Sequence, residues 1–313
     1  MKRGIGIDLG GTKILGILME EGGRILRKVD GNTGDPSSEK EVLRNLFSVI
    51  ESLIEEGPVS SIGIGCAGPD DFENQVVVTS PNLPFIKNYP LKRVVEERFV
   101  IPTLVDNDVK MAALGELIFG DGKDLQPFFF ITLGTGIGGA LVSEGKVFRG
   151  VCNTAGEIGH TVFDWASTER CGCGKYGCLE VLASGTAIRR YVLRGLESGQ
   201  PSVLQGVPPE KINARLVAEK ARKGDELSRE AYLKAAYWIG VAFSHLVQIL
   251  NPRAIIIGGG MSEAWDLMEG KCLDVLASLT MEFPLKHLEI RRSPLGNLAG
   301  VMGACWMGMS SIK

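Results

Sequence analysis

Residues 156–180 read GEIGHTVFDWASTERCGCGKYGCLE and hold three of the seven cysteines in the chain, Cys171, Cys173 and Cys178. The same segment carries one of the three histidines, His160, and two glutamates, Glu157 and Glu180. Thiolates and an imidazole gathered in this way suit a tetrahedral zinc ion. Gly172, Gly174 and Gly177 let the backbone fold tightly enough for several sulfurs to face one centre. Four protein ligands close the coordination sphere, which makes such an ion a scaffold rather than a catalyst. The two carboxylates have two readings: they orient a metal-bound histidine, or they offer acceptors to the hydroxyls of a sugar.

Three glycine loops each follow an apolar stretch: Asp8-Leu9-Gly10-Gly11-Thr12-Lys13, Leu133-Gly134-Thr135-Gly136-Ile137-Gly138-Gly139, and Gly258-Gly259-Gly260. Glycine lets backbone N–H groups approach phosphate oxygens, and threonine hydroxyls add donors. Asp8, at the mouth of the first loop, could hold a water of a Mg²⁺ ion that bridges nucleotide phosphates. Each loop taken alone is equally a tight turn at a strand end. Threonine in two of them, at equivalent places in two halves of the chain, favours phosphate. Residues 134–139 match GxGxxG, but ALVSEGKVFRG follows as a strand hairpin where a dinucleotide fold needs a helix. No GxxxxGK[ST] string occurs.

Asn107 and Asp108 end the apolar stretch IPTLV just before an apolar helix. An aspartate, with an ordinary pKa of about 3.9, is ionised at neutral pH. It can accept a proton from a bound hydroxyl while the asparagine orients the same substrate. The competing reading for either residue is a helix N-cap. His245, in VAFSHLVQIL, reads as a core or interface residue, and His287 as solvated.

The elements that must position these residues are legible from pattern. RGIGID and ILGILME are strands around the first loop, and RILRKVD extends them after an EEGG turn. Val42, Leu43, Leu46, Val49, Ile50, Leu53 and Ile54 recur at helical spacing. SSIGIGCAG, VVVTS and IPTLVDND read as strands, and LKRVVEERF and VKMAALGELIFG as helices. At FFFITLGTGIGGALVSEGKVFRG the layout of strand, glycine loop, strand and hairpin starts again. A helical region over about 185–250, broken by SGQPSVLQGVPPEK, precedes the strand RAIIIGGG. Helix over 265–280, a strand LEIRRSPLG and a terminal helix AGVMGACWMGMS complete the chain. Two similar halves predict a duplicated α/β protein with a ligand cleft between them.

A length of 313 residues favours two domains, and 44% hydrophobic with 23% charged residues is ordinary for a soluble protein. A net charge of −3 gives no support to nucleic-acid binding. The scattered Cys66, Cys152, Cys272 and Cys305 point to a reducing cytosol rather than a disulfide framework. The start MKRGIGIDLGG interrupts any signal-peptide core, and no run of about 18 apolar residues suggests a membrane span.

DLGGTK at 8–13, CAGPD at 66–70, PNLPF at 81–85, DND at 106–108, LGTGIGG at 133–139, GEIGH at 156–160 and CGCGKYGCLE at 171–180 follow one another in this order. In this the chain resembles the ROK-family sugar kinases over nearly its whole length, and within them the glucokinase branch most. The resemblance implies an actin-like ATPase (ribonuclease H-like) fold with a structural zinc site. It implies a small domain of residues 1–118 rejoined by 296–313, and a large domain of 119–295 with the zinc loop. Asp8, Gly10, Gly11, Thr12, Lys13, Gly134, Thr135 and Gly136 would face the phosphates of ATP and Mg²⁺, with Gly258 and Gly259 by the adenosine. Asp108 matches the catalytic base. Gly68, Asn82, Asn107, Asp108, Glu157, His160 and Glu180 match sugar-binding positions. His160, Cys171, Cys173 and Cys178 match the zinc ligands, so His160 would serve both zinc and sugar.

The resulting expectation is a cytoplasmic glucokinase of carbohydrate metabolism, a dimer or tetramer, with neither nucleic acid nor membrane as partner. Kinases of N-acetylglucosamine, N-acetylmannosamine, mannose or fructose are the alternatives within the family. A sugar-responsive repressor would carry a helix-turn-helix before the first glycine loop, and the first strand begins at about residue 3, leaving no room for one. A sugar-binding module without catalysis is disfavoured by the presence of both Asp8 and Asp108.

Overall fold

The computed structural model describes residues 2–311 and divides into two compact units. Of the described residues, the first comprises 2–126, 140–156 and 293–311, and the second 127–139 and 157–292.

The first unit is built on strands β1 (Arg3–Leu9), β2 (Lys13–Glu20), β3 (Ile25–Asn32), β4 (Ser61–Cys66) and β8 (Thr103–Asn107), in the order β3-β2-β1-β4-β8. β1 pairs antiparallel with β2 and parallel with β4, and β4 pairs parallel with β8. β1 and β4 are buried along almost their whole length, as their unbroken apolar runs require. Helix α1 (Glu39–Ile54) starts at Ser38, whose hydroxyl accepts from the Glu41 amide. It buries Val42, Leu46, Val49, Ile50 and Leu53 against the sheet, at the spacing read from sequence. Helices α3 (Asp108–Phe119) and α10 (Ala299–Ser310) pack on each other, and α10 also lies on β1 and β4. Helix α2 (Leu91–Phe99) packs on β8. A small antiparallel sheet, β5 (Asp70–Asp71), β6 (Val76–Thr79) and β7 (Lys87–Tyr89), is stitched on top of this plan.

The second sheet runs β11-β10-β9-β12-β13, from β9 (Phe128–Leu133), β10 (Ile137–Ser143), β11 (Lys146–Phe148), β12 (Ala254–Gly258) and β13 (Glu289–Arg292). Counting strands from the first in each sheet, both have the order third, second, first, fourth, fifth. That repeats the layout anticipated from the two strand–glycine-loop–strand passages. β9, β12 and β13 are parallel and belong to the second unit.

The helices of the second unit are α4 (Leu179–Ala183), α5 (Gly185–Glu197), α6 (Ala214–Arg222), α7 (Glu226–Leu250), α8 (Glu269–Leu279) and α9 (Glu282–Leu285). By length and hydropathy α7 could cross a membrane, yet half of its most apolar window is buried here. It packs against α4, α5, α6 and α8, so its apolar character is that of a core helix. Two mixed α/β units of this layout are consistent with an actin-like ATPase fold.

Candidate active site and cysteine–histidine cluster

In the first unit the loop after β1 is a tight turn, closed by the Gly10 amide donating to the Lys13 carbonyl at 3.0 Å. Thr33 holds it from the side, its hydroxyl donating to the Gly10 carbonyl at 2.7 Å. Lys13 is ion-paired with Asp30. A Cβ on Gly11 would lie 2.8 Å from the Asn82 carbonyl, so the PNLPF segment packs directly on this loop. Burial pushes the Asp8 carboxyl up to about 7, aided by repulsion from Asp108 and opposed by Lys13. A buried carboxylate beside a second carboxylate is a natural cation partner. The first turn of α10 closes on the same spot: a Cβ on Gly300 would come within 4.0 Å of Asp8 Oδ2 and 3.7 Å of the Asp108 carbonyl.

Asn107 is the N-cap of α3, accepting from the Val109 and Lys110 amides at 3.0 and 3.1 Å. Its Nδ2 donates to the Gly68 carbonyl at 3.1 Å. The capping alternative is therefore realised for Asn107, and one amide hydrogen is left for a ligand. Asp108 begins α3 half-buried, with Oδ1 accepting from the Val109 amide at 2.9 Å. Gly68 sits at φ +115°, and a Cβ there would lie 2.1 Å from the Thr79 carbonyl, so only glycine fits where this turn meets Asn107.

In the second unit the loop after β9 is closed by the Gly134 amide donating to Gly136 and is held from α5. The Gly185 amide donates to the Gly134 carbonyl at 2.7 Å, and the Thr186 hydroxyl to the Thr135 carbonyl at 2.8 Å. Glu180, on α4, reaches back to this loop: its Oε2 accepts from the Ile137 amide at 3.1 Å. Its other oxygen, Oε1, lies 3.5 Å from Cys171 Sγ. One carboxylate thus ties the glycine loop to the cysteines. Glu157 precedes the short turn Ile158–His160, with its carbonyl accepting from the His160 amide.

The ligating atoms of His160, Cys171, Cys173 and Cys178 all lie within 4.8 Å of one another. Cys173 and Cys178 sulfurs are 3.6 Å apart, and Cys171 Sγ is 3.5 Å from His160 Nδ1. A tetrahedral zinc with ordinary bond lengths sets sulfur–sulfur edges near ~3.8 Å and sulfur–nitrogen edges near ~3.5 Å. The donor set suits such an ion, and the two shortest separations lie near the edges it requires.

A cavity of about 560 Å³ in the second unit is lined by Gly134, Thr135, Thr186, Arg215, Gly260 and Met261, among others. This is the size of a small-ligand site. The glycine loops after β9 and β12 meet in its wall. Gly258 closes β12 in register with Thr132, and Gly259, at φ +81°, turns the chain into the wall. The contributions of α5 and α6 were not read from the sequence. Residues some fifty to eighty positions beyond the loop are brought there only by packing, and nothing in their local pattern announces it.

Two of the residues set aside in the sequence are placed differently from expectation or more sharply. His245 is exposed on α7 rather than buried in the core, stacked on Phe163 with centroids 5.0 Å apart. His287 is exposed and packs edge-on against Phe283.

The ROK family model matches residues 4–310. The chain is 34% identical over 302 residues to the glucokinase of Thermotoga maritima, covering 96% of this chain and 95% of that one. It is 30% identical over 314 residues to the xylose repressor of Caldicellulosiruptor bescii, covering 98% of this chain and 78% of the repressor. Among solved structures it is similar to a ROK family glucokinase from Streptomyces griseus, in complex with glucose and AMPPNP. The identity there is 32%, with a TM-score of 0.88 and coverage of 98% and 99% of the two chains.

Proposed function

The chain belongs to the ROK family, and we propose that it is an ATP-dependent hexose kinase that phosphorylates the 6-hydroxyl of glucose. The observation that carries this reading is Asp108, half-buried at the start of α3 and close enough to Asp8 for the two carboxylates to repel.

In this reading Asp108 accepts the proton of the sugar hydroxyl and aims its oxygen at the phosphorus. The Asp108 carboxylate is fixed by the Val109 amide, so it meets the hydroxyl without reorganising. Gly10, Gly11, Thr12 and Lys13, with Gly134, Thr135 and Gly136, supply donors to the phosphates. Gly258 and Gly259 border the adenosine, for which the 560 Å³ cavity is the natural seat. Asp8 would hold Mg²⁺, which would supply positive charge against the phosphates. Gly68, Asn82, Asn107, Glu157, His160 and Glu180 would hold the sugar hydroxyls, with Asn107 offering its remaining amide hydrogen.

His160, Cys171, Cys173 and Cys178 would hold zinc, which supplies rigidity and no chemistry of its own. Nδ1 of His160 faces the cysteines. Its Nε2 then serves a sugar hydroxyl. A cytoplasmic location, a role in glycolysis and a dimeric or tetrameric assembly belong to the same reading.

Similarity to a xylose repressor over 98% of this chain motivates a second reading, a sugar-responsive regulator without turnover. A coupled assay of ADP release over glucose, mannose, fructose, N-acetylglucosamine and N-acetylmannosamine separates the two. Hexose-dependent ADP release with glucose preferred supports the kinase; sugar binding without ADP release supports the regulator.

A further inference from the structure

Directly behind the Asn107–Asp108 turn the first unit buries an unusual amount of charge. Asp106 and Lys110 are wholly buried, Asp70 is 4% exposed and Asn153 5%. Arg149 reaches in from the segment after β11, and its Nη2 donates to Asp106 Oδ2 at 2.6 Å. Asp106 Oδ1 accepts twice, from the Asn107 amide at 2.8 Å and from Asn153 Nδ2 at 2.9 Å. The same Nδ2 donates to Asp70 Oδ1 at 2.7 Å. Asp106 thus accepts three hydrogen bonds, one from the adjoining Asn107 amide and two from the 149–153 segment.

Among the described residues, four buried atoms around it have no hydrogen-bond partner: Lys110 Nζ, Asp70 Oδ2, Asn153 Oδ1 and Arg149 Nε. A buried ammonium without compensation costs several kcal/mol. A chain that needed only to fold would place an apolar side chain at position 110, whose neighbours on the same helix face include the buried Ala113 and Leu117. Asn153 also stands at φ +52°, in the left-handed region, which Asn adopts more readily than other non-glycine residues. Gln75, likewise at φ +57°, accepts from the Val105 amide at 2.8 Å and donates to the Phe72 carbonyl. Arg149 lies 4.1 Å over the Phe72 ring. Two left-handed residues, a buried lysine and two buried aspartates therefore gather behind the strand end next to Asp108.

We propose that Lys110, Asp70 and Asn153 are positioning residues for phosphoryl transfer, an internal charge network that fixes the first turn of α3 and so the direction in which Asp108 presents its carboxylate. Lys110 and Asp70 are its unlike charges. Lys110 favours the ionised form of Asp70, while burial first, and then Asp106, oppose it and push that carboxyl up to about 7. Asn153 and Arg149 also favour the ionised form, and the buried Cys66 thiol on β4 lies within electrostatic reach of the group. Water joining Lys110 Nζ to the open oxygens of Asp70 and Asn153 would complete the hydrogen bonding. The network acts through Asp108 and touches no substrate. Misplacing a reacting group by about 1 Å can cost on the order of a hundredfold in rate, which is the advantage that offsets buried charge.

The inference rests on the kinase reading, so its test pairs an activity with a readout independent of activity. K110M, N153A and D70N combined with K110M are compared with wild type for kcat, glucose KM and amide exchange over residues 106–110. The network predicts kcat at least about tenfold lower in K110M and N153A, with glucose KM held within about threefold. It also predicts faster exchange at the Asn107–Lys110 amides. Adding D70N to K110M removes the uncompensated carboxylate and raises kcat above that of K110M alone. Wild-type kcat and wild-type exchange in N153A would overturn the network, as would equal loss in K110M with and without D70N. Wild type that releases no ADP with any hexose defeats the kinase reading instead, and the exchange rates still judge the network.

Discussion

Asp108 combines a fixed carboxylate with a position at the first turn of a helix whose N-cap is the residue before it. Replacing it with alanine is expected to lower kcat by at least about a thousandfold, since general-base catalysis and hydroxyl positioning go together. Glucose affinity, read by calorimetry, should change only a few-fold. Retained turnover in D108A would remove it as the base. Asp70 carries a pH prediction. Its carboxyl sits at about 7 against an ordinary 3.8, so between those values the folded chain keeps a proton that the unfolded chain has released. Stability from this group is complete below the ordinary pKa and is lost as pH rises through about 7, by roughly 2–4 kcal/mol at most. D70N cannot titrate. The melting temperature of D70N relative to wild type should therefore climb between pH 4.5 and 8; a constant difference would mean that Asp70 ionises freely.

Among the elements, the segment 156–180 bears most directly on the cysteines. Gly159 passes so close to β10 that a Cβ would lie 1.9 Å from the Ile137 carbonyl. G159A should therefore push this segment off the glycine loop, lowering both the melting temperature and kcat/KM. Glu180 and the cysteines are joined to the same loop. If zinc ties them down, one zinc per chain should be found by metal analysis. Its removal by a chelator should then lower the melting temperature and raise glucose KM together. Complete metal loss with neither change would contradict the clamp.

The elements themselves were largely legible from sequence, because buried strands such as β1 and periodic helices such as α1 write their burial into local pattern. β5 and β7, of two and three residues, are too short to carry a period. The five residues of α4 form a helix through packing on α7 and α5, which no local signal reports. At the site, DND drew attention to Asn107 and Asp108, while Asp106 was passed over. Its side-chain partners, Arg149 and Asn153, lie 43 and 47 positions away in sequence, beyond any local spacing rule. Lys110 lies wholly buried in the helix that the sequence marks as apolar, and its charge gives no local sign of that burial.

For the molecule as a whole, two sheets of the same strand order each lead with a strand and a glycine loop. The first unit carries Asp8 and Asp108, and the second the 560 Å³ cavity and the cysteine–histidine cluster. A kinase reading uses both units, whereas a sugar-binding module would need neither the paired aspartates nor a nucleotide-sized cavity. The most direct measurement is ADP release by the full chain with ATP, Mg²⁺ and a hexose panel, with the phosphorylated carbon identified by ³¹P–¹H correlation. The account predicts one ADP per sugar, glucose as the preferred acceptor and phosphate on the 6-oxygen. Absence of hexose-dependent ADP release, or phosphate on another oxygen, would contradict it.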